Sequence, residues 1–585
     1  MLNIKKRIGA AIRDAMARMN AEAAAALSAE EIAGMLEYPP NPDMGDLAFP
    51  CFKLSKTLRC APVQIAQTLL ETVDCLDVGR MENINGYLNI FISDEVLSRA
   101  LPEILHKGPE YGRPDFGKGK VVVLDYSSPN VAKPFHIGHL GTTVIGHSLK
   151  MLHEFAGYSC VGINYLGDWG TQFGKLILAY RMWGDRKQIE EEGIDALVAL
   201  YVRINNAIED EKKASEKSGQ PLDSVESLAA KARAEFHKME TGDRDNLDLW
   251  QWFVAISLKE YEKTYKQLNI TFDSYKGESF YTDKMPAQVQ KLRDMNLLKL
   301  DQGASIVDLS EYNMPPCLIL KSDGSTLYPT RDIAAAVYRK ETYHFDKCIY
   351  VTSAQQSQHF AQWFKVIELM GYDWSSQLVH VPYGTVSVAG AKLATRTGNV
   401  VLLRDLFAAA IEKVKAVMAE KNTELENTDE VAEAVGVGAV VFYYLSNNRI
   451  KDIDFIMEDA LSFDGNTGPY VQYTYARACS VLRKAGIAQN ETAGPVGSPE
   501  ERTLILTLIR FEERVRQALN DYEPSVIARY ILDVAAAFNR FYHNCPILTV
   551  DDPSVRQARL NLVAAVKTVL GSAFGLICLR KPEKI

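Results

Sequence analysis

The sequence has no C-x-x-C pair, no internal repeat and no low-complexity tract. It also lacks any run of about 18 uncharged apolar residues, the length a helical membrane span needs. Each absence excludes a class of protein. Nine cysteines lie scattered at 51, 60, 75, 160, 317, 348, 479, 545 and 578. An odd, dispersed set excludes a zinc ribbon or a thioredoxin-type redox motif. With no secretory leader ahead of them, they are expected to be reduced thiols in a cytoplasmic protein. No membrane partner is expected either. Excess basic charge is missing too: 65 Lys+Arg stand against 74 Asp+Glu, a net charge of −9. A uniformly basic nucleic-acid coat is thereby ruled out, although a local basic face is not. The last 120 residues carry 15 Lys+Arg and 11 Asp+Glu, net +4, which leaves −13 for the remainder. The C-terminal portion is therefore the part suited to a polyanion.

What is present is ordinary globular material: 585 residues, 47% hydrophobic and 24% charged, enough for roughly three or four domains. Residues 1–115 read as a separate accessory domain, opening with helices and closing on the linker glycines Gly108, Gly112 and Gly117. From 116 to 404 strands alternate with helices. Val121–Leu124, Cys160–Leu166, Cys317–Lys321, Lys347–Thr352 and Leu378–Pro382 are the strand candidates, and the repetition predicts a doubly wound parallel sheet of Rossmann type. A charged helical stretch, about 185–262, reads as an insertion lying over it. Residues 405–465 form a helical connection, and 466–585 an all-helical domain. In that last domain Leu504, Leu508, Phe511, Val515 and Leu519 share one face, as do Ile527, Ile531, Val534, Phe538 and Phe541. The fold class is α/β, with an N-terminal α+β accessory domain and a C-terminal all-α bundle.

The chemistry concentrates in Asp125-Tyr-Ser-Ser-Pro-Asn-Val-Ala-Lys-Pro-Phe-His-Ile-Gly-His139. This segment leaves a buried strand and enters a helix near Ile137. Ligands bind at such strand ends, and a helix N-terminus favours phosphate. His136 and His139 fall on one helical face, where two imidazoles can donate to a triphosphate whose charge rises during reaction. Gly138 between them would let a flat base approach the backbone. An isolated pair of this kind is more often two packed or surface histidines. Zinc pairs usually stand four apart and need a third ligand, which is not evident.

The flanking residues decide the matter. The segment resembles the His-Ile-Gly-His signature of class I aminoacyl-tRNA synthetases, and its Ser-Ser-Pro-Asn-Val-Ala-Lys preface resembles the arginyl-tRNA synthetase family in particular. Gly167-Asp-Trp-Gly-Thr-Gln-Phe-Gly174, Tyr328-Pro-Thr-Arg-Asp332, Gln355-Gln-Ser-Gln-His359 and Gln472-Tyr-Thr-Tyr-Ala-Arg477 are similar to further signatures of that family, so the likeness runs from the accessory domain to the C-terminus.

The resemblance implies an ATP-dependent arginine–tRNA ligase acting as a cytoplasmic monomer. Its partners would be tRNA, arginine and ATP, with magnesium held mainly by the ATP and no zinc. It implies an arginine pocket of Asp125, Ser128, Asn130, His139, Tyr328, Asp332 and Gln356. A guanidinium, planar and permanently charged, needs such carboxylates and amide oxygens. Read alone, Asp332 could instead cap a helix, Asp125 could be a strand-end acid, Tyr328 a core tyrosine and Gln356 a surface residue. ATP would be held by His136, Gly138, His139, Lys392 and Arg396.

In the phosphate loop, Lys392-Leu-Ala-Thr-Arg-Thr-Gly-Asn399, the usual second lysine is replaced by Thr395. Lys133 is then expected to join Lys392 and Arg396 in offsetting charge on pyrophosphate. Gly141 stands where the family commonly has arginine. Tyr87 and Asn89 match a pair that contacts the D-loop of tRNA, by stacking and amide hydrogen bonding. Two rival readings are a nucleotidylyltransferase that uses no tRNA and a synthetase-like RNA-binding protein without activity.

Overall fold

The computed structural model describes residues 1–75, 77–218, 227–388, 391–392, 401–421, 427–486 and 494–585. At the N-terminus, α1 (Leu2–Met19) packs on a short helix, Ala29–Gly34. A small antiparallel sheet follows, formed by β1 (Leu47–Pro50), β2 (Gly79–Ile84) and β3 (Tyr87–Ile92) in the order β1-β3-β2. Helix α2 (Pro62–Thr72) covers one face of that sheet, burying Ile65, Ala66 and Leu69.

The centre of the molecule is a four-stranded parallel sheet. Its strands are β4 (Val121–Asp125), β5 (Ser159–Ile163), β9 (Lys347–Ser353) and β10 (Leu378–Tyr383), in the order β10-β9-β4-β5. Four of the five expected strands are here. The central pair β4 and β9 are buried along most of their length, as two-sided strands require, while the edge strands β5 and β10 are partly exposed. The fifth expectation is corrected. Cys317–Leu320 (β8) belongs to a separate antiparallel sheet with β6 (Leu298–Asp301) and β7 (Ala304–Val307). A two-residue turn at Gln302-Gly303, both at positive φ, folds β6 onto β7, and β8 adds to that hairpin edge.

From β4 the chain moves outward to β5, then crosses back to β9 on the other side. The order reverses between β4 and β9, which is where such sheets open a crevice. Helices α3 (Leu140–Phe155), α4 (Thr171–Trp183), α5 (Ile194–Ser218), α6 (Leu228–Glu240), α7 (Arg244–Leu268), α8 (Tyr328–Tyr343) and α9 (Ser357–Leu369) surround the sheet. The stretch expected as an insertion, 185–262, is no appendage: α7 runs on to Leu268 and its second half is bonded into the site described below.

A helical hairpin, α10 (Leu403–Lys421) and α11 (Thr428–Leu445), leads out of the sheet. A small sheet then joins β11 (Val386–Val388), β12 (Ala391–Lys392) and β13 (Ile453–Phe455), with β11 central. The C-terminal bundle comprises α12 (Gly468–Ala485), α13 (Pro499–Leu508), α14 (Phe511–Asp521), α15 (Ser525–Asn544) and α16 (Pro553–Leu576). Both apolar faces read from the sequence are buried. Helix α16 is long and apolar enough to cross a membrane by length and composition, but 72% of that window is buried inside the protein. It is a core helix, packed on α12, α15 and α3.

The domains share one apolar core and polar ties. Arg502 of α13 bonds Asp46, Asp94 and the carbonyl of Ile92, and Lys5 of α1 pairs with Glu513 of α14 at 3.1 Å. The accessory domain is thus fastened to the C-terminal bundle.

Candidate active site

Asp125 ends β4, beside Ile163 of β5 and Tyr350 of β9. Beyond it the chain turns sharply: Ser127, Ser128 and Ala132 all sit at positive φ, 71°, 47° and 58°. Non-glycine residues occupy that region only when their surroundings compel it, and here the compulsion is visible. The Ser127 amide donates to Thr142 Oγ1 at 3.0 Å and the Ser128 amide to Asn164 Oδ1 at 3.1 Å. From α7, Tyr265 Oη lies 2.8 Å from Ser127 Oγ, and Ser257 Oγ accepts from the Ala132 amide at 3.0 Å. Tyr261 Oη reaches the carbonyls of both Asn130 and Lys133, each at 2.8 Å. Gly167 abuts Asn130 so closely that a Cβ would stand 2.3 Å from Asn130 Oδ1.

The loop delivers His136 and His139 on a short 3₁₀ turn, Ile137–His139, before α3 begins at Leu140. His136 Nδ1 accepts from the Gly138 amide and His139 Nδ1 from the His136 amide, both at 3.1 Å. With Nδ1 accepting, each neutral ring carries its proton on Nε2 and is set to donate there. Both rings stay neutral at ordinary pH. Burial, then the nearby Lys133 charge, lowers His136 to about 4; burial, then His136, lowers His139 to about 3. Gly138 is required locally, since a Cβ would stand 2.8 Å from the His136 ring. Gly141 has the same character: a Cβ would meet Tyr444 Oη at 2.2 Å, so the family's usual arginine has no room here.

A cavity of about 520 Å³ opens at the crevice between β4 and β9. All seven residues expected to form one pocket, Asp125, Ser128, Asn130, His139, Tyr328, Asp332 and Gln356, line it. Helix α8 starts at Tyr328, so Asp332 lies in its second turn and is not a helix cap. Its Oδ2 accepts instead from His359 Nε2 at 2.6 Å. Tyr328 is 68% exposed at the rim, not packed in the core. Sequence reasoning missed Glu278, which lines the same cavity and pairs with Arg331 at 2.7 Å. Burial, only partly offset by Arg331, raises its carboxyl to about 7. It also missed Arg339, although helical spacing from Asp332 points to it. A cavity rich in carboxylates with amide groups at its rim suits a planar cation.

The remaining expected residues fall elsewhere. Lys133 is exposed on the loop. Lys392 ends β12, opposite Ser387, while Arg396 and Thr395 lie outside the described residues. The far stem of that segment pairs with the histidine turn: the Ile137 amide donates to the Val401 carbonyl at 3.1 Å and the Leu403 amide to that of Phe135 at 2.9 Å. Tyr87 is half-buried with Phe52 edge-on at 5.9 Å, and Phe52 is 50% exposed. Asn89, expected beside Tyr87, lies differently. Its side chain is fully buried and has no hydrogen-bond partner among the described residues, so it presents nothing at the surface in this conformation. At the other end of the molecule, a cavity of about 1300 Å³ is lined by Tyr473, Arg477, Arg483, Lys484, Tyr542 and Lys581. The Arg477 guanidinium lies 5.0 Å from each of the two tyrosine rings.

Comparison with known proteins gives one answer along the whole chain. Residues 100–457 match the family model of the class I (R) tRNA synthetase catalytic domain. Residues 2–92 match the arginyl tRNA synthetase N-terminal domain, and 471–585 the DALR anticodon binding domain. An arginine–tRNA ligase of Alkaliphilus metalliredigens is 50% identical over 95% of this chain and 96% of its own length. One from Clostridioides difficile is 48% identical over 96% and 97%. Among solved structures, the arginyl-tRNA synthetase of Thermus thermophilus superposes with a TM-score of 0.80 at 25% identity, covering 98% of this chain and 99% of that one.

The loop's shape depends on Tyr261, whose hydroxyl serves two carbonyls. Tyr261→Phe keeps the ring and removes only that one donated proton, shared between the two carbonyls and worth about 0.5–1.5 kcal/mol. Hydrogen–deuterium exchange of amides within 130–135 is expected to quicken about tenfold, with little change in melting temperature. Unchanged exchange there would show that the loop holds its shape without α7.

Proposed function

We infer how this site works from one premise: the chain belongs to the arginyl-tRNA synthetase family, and it charges tRNA with arginine at the expense of ATP. The arginine carboxylate attacks the α-phosphate, giving arginyl-adenylate and pyrophosphate; the 3′-terminal adenosine of tRNA then takes the arginyl group. The attacking carboxylate is already ionised, so the first step needs no general base. Catalysis is positioning and charge stabilisation.

The observation that carries the residue assignment is the convergence of seven residues from β4, its loop, α8 and the turn after β9 on one cavity. In our reading Asp332 is the principal acid facing the substrate guanidinium, with Glu278 beside it and Tyr328 closing the rim. Asn130, His139 and Gln356 hold the amino-acid end. Asp125 and Ser128 form the back wall, for their polar atoms are already engaged: Ser128 Oγ donates to Asp125 Oδ1 at 2.9 Å. His136 and His139 donate neutral Nε2–H bonds to the phosphates, and Gly138 leaves the backbone open to the nucleotide. Lys133, whose charge depresses both histidines, supplies a cation to the departing pyrophosphate together with Lys392 and Arg396. Magnesium arrives on the ATP phosphates and we assign it no protein ligand.

Tyr87, backed by Phe52, is the stacking surface we assign to tRNA in the accessory domain. The Tyr473–Arg477–Tyr542 cavity is the one we assign to the anticodon, since rings and cations together suit splayed bases. One chain supplies the chemistry and both tRNA surfaces, which supports a monomer. The nine cysteines, none in a disulfide, suit a cytoplasmic enzyme.

Three outcomes test the assignment. Asp332→Asn removes a charged partner worth about 1.5–3 kcal/mol, so arginine KM should rise at least tenfold with ATP KM nearly unchanged; equal loss for both substrates would refute the role. The Glu278 carboxyl, raised to about 7, must be ionised to meet a guanidinium. Arginine KM should therefore climb as pH falls below 7, by up to tenfold per unit, and Glu278→Gln should flatten that slope. Lys133→Ala should slow adenylate formation by about 10²-fold with arginine and tRNA affinity little altered. Near-normal activation in that variant would return the role to the phosphate loop.

A further inference from the structure

Tyr328, Asp332, Ala335 and Arg339 recur at helical spacing along α8, and all four line the arginine cavity. Three of them suit a cationic substrate. The fourth is itself a guanidinium, fully buried in the wall of a site that must accept one. A cation there repels the substrate unless its charge is spent on something else. Arg339 Nη2 lies 2.8 Å from Asp125 Oδ2, and its guanidinium carbon stands 5.2 Å from the Tyr165 ring and 5.5 Å from that of Tyr350. The other carboxylate oxygen, Oδ1, accepts from Ser128 Oγ, which in turn accepts from the Tyr165 amide at 3.2 Å. A continuous chain, Arg339–Asp125–Ser128–Tyr165, therefore joins the helix that faces the guanidinium to the loop that carries His136 and His139.

We propose that Arg339 is a positioning residue of the arginine site: it acts solely through Asp125, holding that carboxylate ionised and turned onto Ser128 so that the positive-φ loop keeps Asn130 in the cavity. The proposal rests on reading this cavity as the arginine pocket. Among the described residues, Asp125 has no other ion-pair partner than Arg339. Tyr281, Tyr350 and Cys348 neighbour it as neutral groups, kept so by burial, and Tyr165 and His139 line the same cavity. The nearby acids Asp332 and Glu278 have their own partners, His359 and Arg331. Burial raises the Asp125 carboxyl, and the Arg339 charge is the largest influence opposing that rise. Without Arg339 the effect of burial is less opposed, and Asp125 takes up a proton more readily as pH falls.

The experiment is a double-mutant cycle of Arg339→Met and Asp125→Asn, read as arginine KM in ATP–pyrophosphate exchange with tRNA present, from pH 6 to 8.5. Arg339→Met alone is expected to raise arginine KM at least 30-fold at pH 7, with ATP KM within threefold. Its log KM should fall with pH more steeply than in the unsubstituted enzyme, by up to one further proton. The double variant should match Asp125→Asn within threefold and lose the added slope, because a residue acting through another adds nothing once that other is gone. Should Arg339→Met not fold, Arg339→Gln, which removes the charge but keeps a side chain able to hydrogen-bond, takes its place in the same cycle. Multiplying effects, an unchanged KM, or a loss with no added pH slope would each overturn the proposal. Failure of the pocket reading itself would appear separately, as an Asp332→Asn enzyme with normal arginine KM.

Discussion

The active site depends on the way the chain leaves its central strand. After Asp125 the backbone makes a turn that three non-glycine residues enter at positive φ, a conformation costing of order 1–3 kcal/mol each. It persists because both sides of the turn are bonded to something rigid: α3 through Thr142 and Thr143, and α7 through Ser257, Tyr261 and Tyr265. The strain is thus met by helices far apart in sequence. The result is a loop that places Asn130 and His139 at the cavity wall, with His136 beside them, without relying on flexible surface contacts.

The same turn settles the electrostatics. A site for a cationic amino acid and an anionic nucleotide must present opposite charge within a few ångströms, and it does so by pairing. Glu278 is matched with Arg331 and Asp125 with Arg339, so the cavity does not carry three unopposed carboxylates. On the phosphate side the imidazoles are neutral donors, and Lys133 brings the local positive charge. Neutral histidines are the cheaper arrangement here: two imidazolium rings 3.9 Å apart beside a lysine would repel one another in a partly desolvated place.

Much of this was legible in the sequence, and the limits have physical causes. The central parallel strands announced themselves as continuous apolar runs because both faces are buried. The seven residues that line one cavity were named together because they sit in short motifs resembling those of a family. Tyr261, Glu278 and Arg339 were not found, because each acts through a contact far away in the chain, Tyr261 and Arg339 with residues more than a hundred positions distant and Glu278 with Arg331. Of these, only Arg339 left a local trace, its helical spacing from Asp332. Cys317–Leu320 was assigned to the wrong sheet because an apolar strand of four residues reads alike in either. Asn89 was named by its match to a family pair, and a motif match does not reveal burial; Leu88 and Ile90 on either side are buried as well.

The connection between the phosphate loop and the rest of the molecule follows from backbone pairing. One stem is β11 and β12, held by β13 after the helical hairpin. The other stem, Val401–Leu403, pairs directly with Phe135–Ile137. Arg404, the next residue, bonds Asp195 of α5 at 2.8 Å and lies 3.5 Å from Glu260 of α7. Tyr261, adjacent to Glu260, grips the loop that ends in the histidines. A displacement of either stem must therefore be shared by the histidine turn or absorbed by breaking these bonds. The C-terminal bundle meets the same elements, since α16 packs on α3 and the Leu576 carbonyl accepts from Ser148 Oγ at 2.6 Å. The C-terminal bundle is thus joined, through packed helices and paired backbone, to α3 and the histidine turn at its N-terminus.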